Sequence, residues 1–133
     1  MNDPQNDSLK ERCEAQLIRE LSCDPALKAL CPRKQNSSGK PKMPRIAVVV
    51  TPGKEISPGA NLFNLSAVIE FYFDAARDQT GASLDVSVAK CEAALKAAQA
   101  RGEYGIILDG EQPQQIISDT IRMRPLALRL IAG

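Results

Sequence analysis

The sequence predicts an α+β protein in which helices pack on one face of a mixed or antiparallel sheet of about four strands. Residues 62–73 (LFNLSAVIEFYF) alternate between an apolar side and a more polar side, as a half-buried strand does, and contain all three phenylalanines. Residues 45–51 (RIAVVVT) are apolar on both sides, which indicates a central, covered strand. Residues 8–22 and 83–101 repeat apolar residues every three or four positions, as amphipathic helices do. The predicted order in this single domain is therefore α-β-β-α-β-β.

The N-terminal segment predicts a helix that follows a frayed polar end. Residues 1–7 are polar, and Ser8 followed by Glu11 forms a capping-box pattern at the start of the helix. Asp24 and Pro25 then predict the N-cap and the first residue of a second, short helix.

Two polar connectors flank the first strand. Residues 33–44 (RKQNSSGKPKMP) contain no acid and predict a flexible basic connector, either a solubilising linker or an arm that contacts a phosphate backbone or an acidic partner. Residues 52–61 (PGKEISPGAN) contain two Pro-Gly steps and form a loop longer than a hairpin requires. Loops of this kind are more often functional, or become ordered when a partner binds.

The C-terminal half predicts one helix and two strands. Ser83 is the expected N-cap of the helix, and Gly102 is its expected stop. Residues 104–108 predict a short strand. Residues 115–131 predict a final strand whose apolar phase slips by one residue at Pro125, as a β-bulge would cause.

Composition excludes several function classes. The absence of histidine removes Ser-His-Asp, Cys-His and histidine-metal chemistry. The segment TPGKEISPG lacks the upstream glycine of a P-loop, and Glu55 occupies the place of its magnesium-binding hydroxyl. The net charge of +1 gives no electrostatic case for nucleic acid or membrane as the main partner. The polar N-terminus predicts no signal peptide, and four cysteines without a C-x-x-C pair predict reduced, structural thiols and no metal or cofactor.

The order of elements, together with the patterns MPRIAVVVT, LSAVIEFYFDA and SLDVSVAKCEAAL, resembles the tail terminator (tail completion) proteins of lambda-like long-tailed phages. The resemblance covers about residues 9–131. It implies a non-enzymatic virion protein, assembled in the bacterial cytoplasm, that forms a homohexameric ring on the tail tube and stops tube growth. The implied partners are other copies of the chain, the tail tube protein and the head–tail connector, with DNA passing through without sequence-specific binding. No membrane partner is implied.

On this interpretation, subunit and partner contacts are expected on the long loop, on the polar side of the long strand and at the arginines of the last strand. That polar side is expected to be too polar for full burial in a monomer. The arginines are expected either to form inter-subunit ion pairs, to face the DNA passage or to remain solvated. The candidate interface residues are Lys54, Glu55, Ile56, Asn64, Ser66, Glu70, Tyr72, Arg122, Arg124 and Arg129.

Three alternatives remain open from the sequence. The first is another head–tail connector or stopper component. The second is a small ligand-binding domain or enzyme that uses the sheet face, with Glu70, Tyr72 and Asp74 as the reactive groups. The third is a nucleic-acid-binding module that acts through residues 33–44.

Overall fold

The computed structural model describes residues 4–34, 42–101 and 105–132. Within these ranges, three helices accompany a six-stranded, mostly antiparallel open sheet, so the α+β class is confirmed and the expected strand count is too low. The helices are α1 (Pro4–Ser22), α2 (Pro25–Lys28) and α3 (Asp85–Ala100). The strands are β1 (Arg33–Lys34), β2 (Arg45–Thr51), β3 (Phe63–Asp74), β4 (Gly105–Glu111), β5 (Gln115–Ile116) and β6 (Ile121–Ala132).

Strand β3 is the centre of the sheet. The strand order is β1-β2-β3-β6-β4, with β5 also paired to β6, and only β1 and β2 run parallel. Ile69 of β3 lies opposite Val48 of β2 and Leu126 of β6. All three side chains are buried on the same face, so the predicted phase of β3 is confirmed.

The helices cover the apolar face of this sheet. Phe71 and Phe73 of β3 are buried in one cluster with Leu17 of α1, Leu27 of α2 and Leu95 of α3. Burying one such side chain stabilises the fold by roughly 1.5–3 kcal/mol, so this layer carries most of the stability. No helix in the described ranges is both long and apolar enough to cross a membrane.

A buried carboxylate joins α1 to the sheet. Strand β1 pairs only with Ala47 and Val48 of β2, which leaves the amide of Val50 at an open edge. Glu14 of α1 is buried there, and its Oε2 accepts a hydrogen bond from the Val50 amide at 3.3 Å and lies 3.3 Å from Lys10 Nζ. The carboxylate thus takes the place of a missing strand neighbour.

Two predicted helix starts are wrong and one is confirmed. Residues 4–7 of the predicted frayed end belong to helix α1, and residues 1–3 lie outside the described residues. Proline is tolerated at Pro4 because the first turn of a helix does not use the N–H that proline lacks. Asp24 caps α2 as predicted, since its Oδ1 accepts from the Ala26 amide at 2.8 Å. Ser83 is not the cap of α3; it lies in a 3₁₀ turn, and its amide and hydroxyl donate to the carboxylate of Asp78. The hydroxyl bond is the main reason why the pKa of Asp78 is below its usual value.

Both polar connectors are more structured than expected where the structure describes them. Arg33–Lys34 forms β1, and the remainder of the predicted connector at 35–41 lies outside the described residues. Residues 52–62, called the hairpin arm below, continue the β2–β3 hairpin: the amide of Ile56 donates to the Leu62 carbonyl at 2.8 Å, and that of Asn64 to the Lys54 carbonyl at 3.0 Å. Gly53 permits this return, because a Cβ there would lie 1.5 Å from the carbonyl oxygen of Asn64.

The predicted bulge in the last strand is wrong. Strand β6 pairs with β3 in one unbroken register, and the register shift is in β4, where Asp109 is the extra residue before Gly110 at φ 95°. The apolar phase of β6 changes because Ile121 and Met123 join a small cluster on the outer face, whereas the leucines further on face the helices. Tyr104, the expected first residue of the preceding strand, lies outside the described residues.

Candidate functional site

The outer face of the sheet, opposite the helices, is the candidate functional surface. It is formed by every second residue of β2, β3 and β6, since side chains alternate between the two faces of a strand. The structure divides this face into an open half beside the hairpin arm and a closed half near the start of β2.

The open half contains a groove of about 410 Å³ between the hairpin arm, β3 and β6. Its lining residues are Lys54, Glu55, Ile56, Asn64, Ser66 and Arg129. Six of the ten candidate interface residues are therefore brought together in one place.

Backbone pairing positions these groove residues. Ser66 lies directly opposite Arg129 in the β3–β6 ladder, and an isolated bridge between Glu55 and Phe63 holds the arm beside β3. Glu55 Oε1 accepts from the Gly59 amide at 2.9 Å, which closes the tip of the arm on itself.

The groove combines charged side chains with an apolar rim. Lys54 and Arg129 bring positive charge, Glu55 brings negative charge, and Ile56 is an exposed large apolar side chain. Leu62, whose carbonyl accepts from the Ile56 amide in the hairpin arm, is a second exposed apolar residue. Among the described residues, the ion pair found for Arg129 is a contact of 3.3 Å with Asp109 across the strand pair. Exposed apolar side chains among mixed charges are the composition of a protein-binding surface.

The closed half overturns the expectation that this whole side of β3 is too polar to be buried. Glu70 and Tyr72 are only 8% and 6% exposed. The Tyr72 hydroxyl donates to Glu70 Oε1 at 3.0 Å, and the Arg45 guanidinium lies 4.2 Å above the Tyr72 ring. Buried polar groups are tolerated when they pair with one another, and Met123 completes the packing from β6.

The hypothetical reactive set of Glu70, Tyr72 and Asp74 is engaged in internal contacts. Tyr72 and Glu70 bond each other, and Asp74 Oδ1 accepts from the Ala76 amide at 2.9 Å in the turn after β3. Each group therefore already has a partner within the fold.

Arg124, near the start of β6, lies on the helix side of the sheet and makes several hydrogen bonds. Its Nε and NH2 donate to the carboxylate of Glu111 at 2.6 and 2.9 Å, and its NH1 donates to Asp85 Oδ1 and to the Gly81 carbonyl, both at 2.7 Å. The hydrogen bonds with Glu111 are the main cause that raises the pKa of Arg124. Arg124 thus joins β6 to β4 and to the start of α3 within one subunit.

Arg122 is also used internally. Its NH1 donates to the carbonyls of Ser118, Asp119 and Ile121 at 2.6, 3.2 and 3.3 Å, which fastens the turn between β5 and β6. Of the three predicted arginines, only Arg129 lies in the groove. Arg124 bonds residues that are distant in sequence, and Arg122 bonds backbone carbonyls. No sequence pattern therefore predicts the internal role of either arginine.

Thiols and carboxylates are the other reactive side chains in the described part of the chain. All four cysteines are free; Cys13 and Cys91 are buried, as their helical positions predict, whereas Cys23 and Cys31 are exposed. Burial raises the pKa of Cys13 and raises that of Cys91 to about 12, which suppresses the nucleophilic thiolate. No group of three or more cysteine or acidic side chains suited to a metal ion occurs in the part of the chain that the structure describes.

Comparison with models of known protein families gives no match for this chain. A search of curated proteins finds no significant relative.

Proposed function

We propose that the chain is a structural phage tail protein, a tail terminator that assembles into a ring on the tail tube and joins it to the head connector. The observation that carries this proposal is the groove beside the hairpin arm, which gathers six candidate interface residues around exposed apolar side chains. The succession of α1, β2, the hairpin arm, β3 and α3 along the chain supports this proposal, although the fold also contains α2, β1 and β5, which the predicted order lacked.

A ring requires two different patches on each subunit, because successive subunits contact head to tail. The groove is one such patch, at the Arg129 end of β6. The second is the turn around β5 at the Arg122 end, where Ile116 and Ile117 are exposed. At about 3.3 Å per residue, these ends are roughly 23 Å apart along the strand, so a neighbour can occupy one patch while the other stays available.

The sheet edge beside these patches favours docking as well. Strand β4 pairs with β6 alone among the described strands, so its outer backbone groups are open to a neighbour. Ile107 on this edge is exposed and lies opposite Arg129, next to the groove. A subunit contact can therefore combine side-chain packing with added strand pairing.

Light scattering coupled to size-exclusion chromatography tests the proposal, with the full chain alone and mixed with purified tail tube protein. We expect the chain to assemble, alone or on the tube, into a particle of several subunits that appears as a ring by electron microscopy. Ile56→Asp and Arg129→Glu are expected to abolish assembly, while Lys96→Glu on the exposed side of α3 serves as the matched control.

Circular dichroism on each variant separates lost assembly from lost folding. A chain that stays monomeric at every concentration and never elutes with the tube contradicts the proposed function. Equal loss of assembly in Lys96→Glu and Arg129→Glu would contradict the assignment of the groove.

A further inference from the structure

A second cavity lies at the opposite end of the outer face, and the assembly proposal makes no use of it. Its volume is about 280 Å³, between the end of α2 and the starts of β1 and β2. Arg33, Lys42 and Arg45 line it together with uncharged residues, and its lining includes no carboxylate. We propose that this cavity, called the basic pocket below, binds a phosphate group.

The sheet brings the arginines of the basic pocket together. Arg33 pairs with Ala47 in the parallel β1–β2 ladder, and Arg45 precedes Ala47 by two residues, so both arginines belong to the outer face. The residues that return the chain to β2 then place Lys42 at the same cavity. Three cations separated by up to twelve residues in sequence thus surround one space.

An aromatic ring stacks against Arg45 and holds it in place. Its guanidinium carbon lies 4.2 Å from the centre of the Tyr72 ring, and the Tyr72 hydroxyl is itself fixed by Glu70. Its Nε is buried and has no hydrogen-bond partner within the described ranges. Stacking therefore orients the guanidinium without neutralising its charge, which leaves its terminal nitrogens as donors for a ligand.

Several cations elsewhere in the fold are neutralised by a nearby carboxylate. Lys10, Lys90, Arg101, Arg124 and Arg129 each lie within 4.0 Å of a carboxylate oxygen. No such ion pair is found for the three pocket cations across residues 4–34, 42–101 and 105–132.

Convergent unpaired cations favour an anion. A tetrahedral phosphate with more than one negative oxygen matches two guanidinium forks and an ammonium better than a single carboxylate does. Chloride cannot accept from all three groups in the same directional way, so phosphate should compete well against it.

A titration of the ¹⁵N-labelled full chain with inorganic phosphate, followed by two-dimensional NMR against sodium chloride of equal ionic strength, tests this proposal. We expect saturable shifts of amides in residues 29–33 and 42–46. Arg45→Gln and Arg33→Gln should each weaken binding by about tenfold or more, and Arg129→Gln in the distant groove should leave it unchanged.

A second arm identifies the source of the phosphate group. A fluorescent single-stranded thymidine oligonucleotide is titrated in the same buffers, and its binding is challenged with inorganic phosphate. Oligonucleotide binding that Arg45→Gln abolishes and phosphate displaces supports the basic pocket with a nucleic-acid backbone as the source. Phosphate binding without oligonucleotide binding supports a free phosphate or a small phosphate ester.

Three results overturn the proposal. In the first, phosphate shifts no amide of the basic pocket and no oligonucleotide binding depends on Arg45. In the second, phosphate shifts amides only elsewhere in the protein, and in the third, Arg45→Gln and Arg129→Gln weaken phosphate binding equally. Because Arg45→Gln removes a stacking contact, Arg33→Gln provides the same test without disturbing Tyr72. Arg45→Lys, which keeps the charge but not the planar fork, should bind phosphate with an intermediate affinity.

Discussion

Replacement of Arg124 by methionine should destabilise the fold strongly, although arginine at a strand end would ordinarily be a surface residue. The side chain is only 12% exposed and makes hydrogen bonds to Glu111, Asp85 and the carbonyl of Gly81. Methionine keeps much of the aliphatic stem that packs beside Gly81, so the change mainly removes the guanidinium.

The size of the effect follows from the exposure of each partner. The bond to the part-buried Gly81 carbonyl involves a charged donor and contributes about 1.5–3 kcal/mol. Glu111 is 34% exposed and its two-bond pair contributes about 1 kcal/mol, whereas Asp85 is 66% exposed and its pair is weakened by water and contributes little. The free energy of unfolding should therefore fall by about 2.5–4 kcal/mol.

Urea unfolding followed by circular dichroism measures this loss, at protein concentrations low enough to avoid assembly. Arg129→Met is the matched control: its side chain is 48% exposed with one ion pair of 3.3 Å, so the expected loss is below about 1 kcal/mol. A double-mutant cycle between Arg124→Met and Glu111→Gln should show clear coupling. Equal losses in Arg124→Met and Arg129→Met, or strict additivity in the cycle, would refute the assignment of Arg124 as a clamp within the subunit.

Two further predictions concern the core. Ile69→Asp should lower the free energy of unfolding by several kcal/mol or prevent folding, because it places an unpaired charge among apolar side chains. Ser66→Asp, on the exposed side of the same strand, should cost little. Similar melting of both variants would show that the phase of β3 is wrong. Titration with a thiol reagent at pH 8 should label two cysteines quickly and all four only after denaturation. The reason is that Cys13 and Cys91 are buried and their pKa values are raised. Rapid labelling of four thiols in the native protein would contradict this burial.

Most of the secondary structure follows from residue patterns. Alternation over residues 62–73 predicts both the strand and the side of it that faces the core, because only one of the two phases buries the phenylalanines. Helix ends are less predictable, since Ser83 can either cap a helix or lie in a turn before it, and its contact with Asp78 decides between the two.

The candidate site shows the same division. Asn64 and Ser66 share a side of β3 by simple alternation, so their joint exposure is predictable from the sequence. The positions of Arg129 and the hairpin arm beside them depend on which strands are neighbours and in which register, and residue patterns do not specify this. Glu70 lies on that same side but is buried, because the Tyr72 hydroxyl donates to it and Arg45 covers the ring of Tyr72 in turn.

Residue pattern and composition are enough to predict the α+β class, the central strand, the amphipathic helices and the lack of histidine-based chemistry, because hydrophobic period and composition are local properties. Which polar side chains stay on the surface depends instead on contacts between residues that are distant in sequence. Glu14 bonds a backbone amide at an open strand edge, and Arg124 joins two strands to a helix. Arg33 and Arg45 line the same basic pocket. Each of these depends on partners brought together by strand pairing and helix packing, since the energy of a buried charge is set by what surrounds it in space.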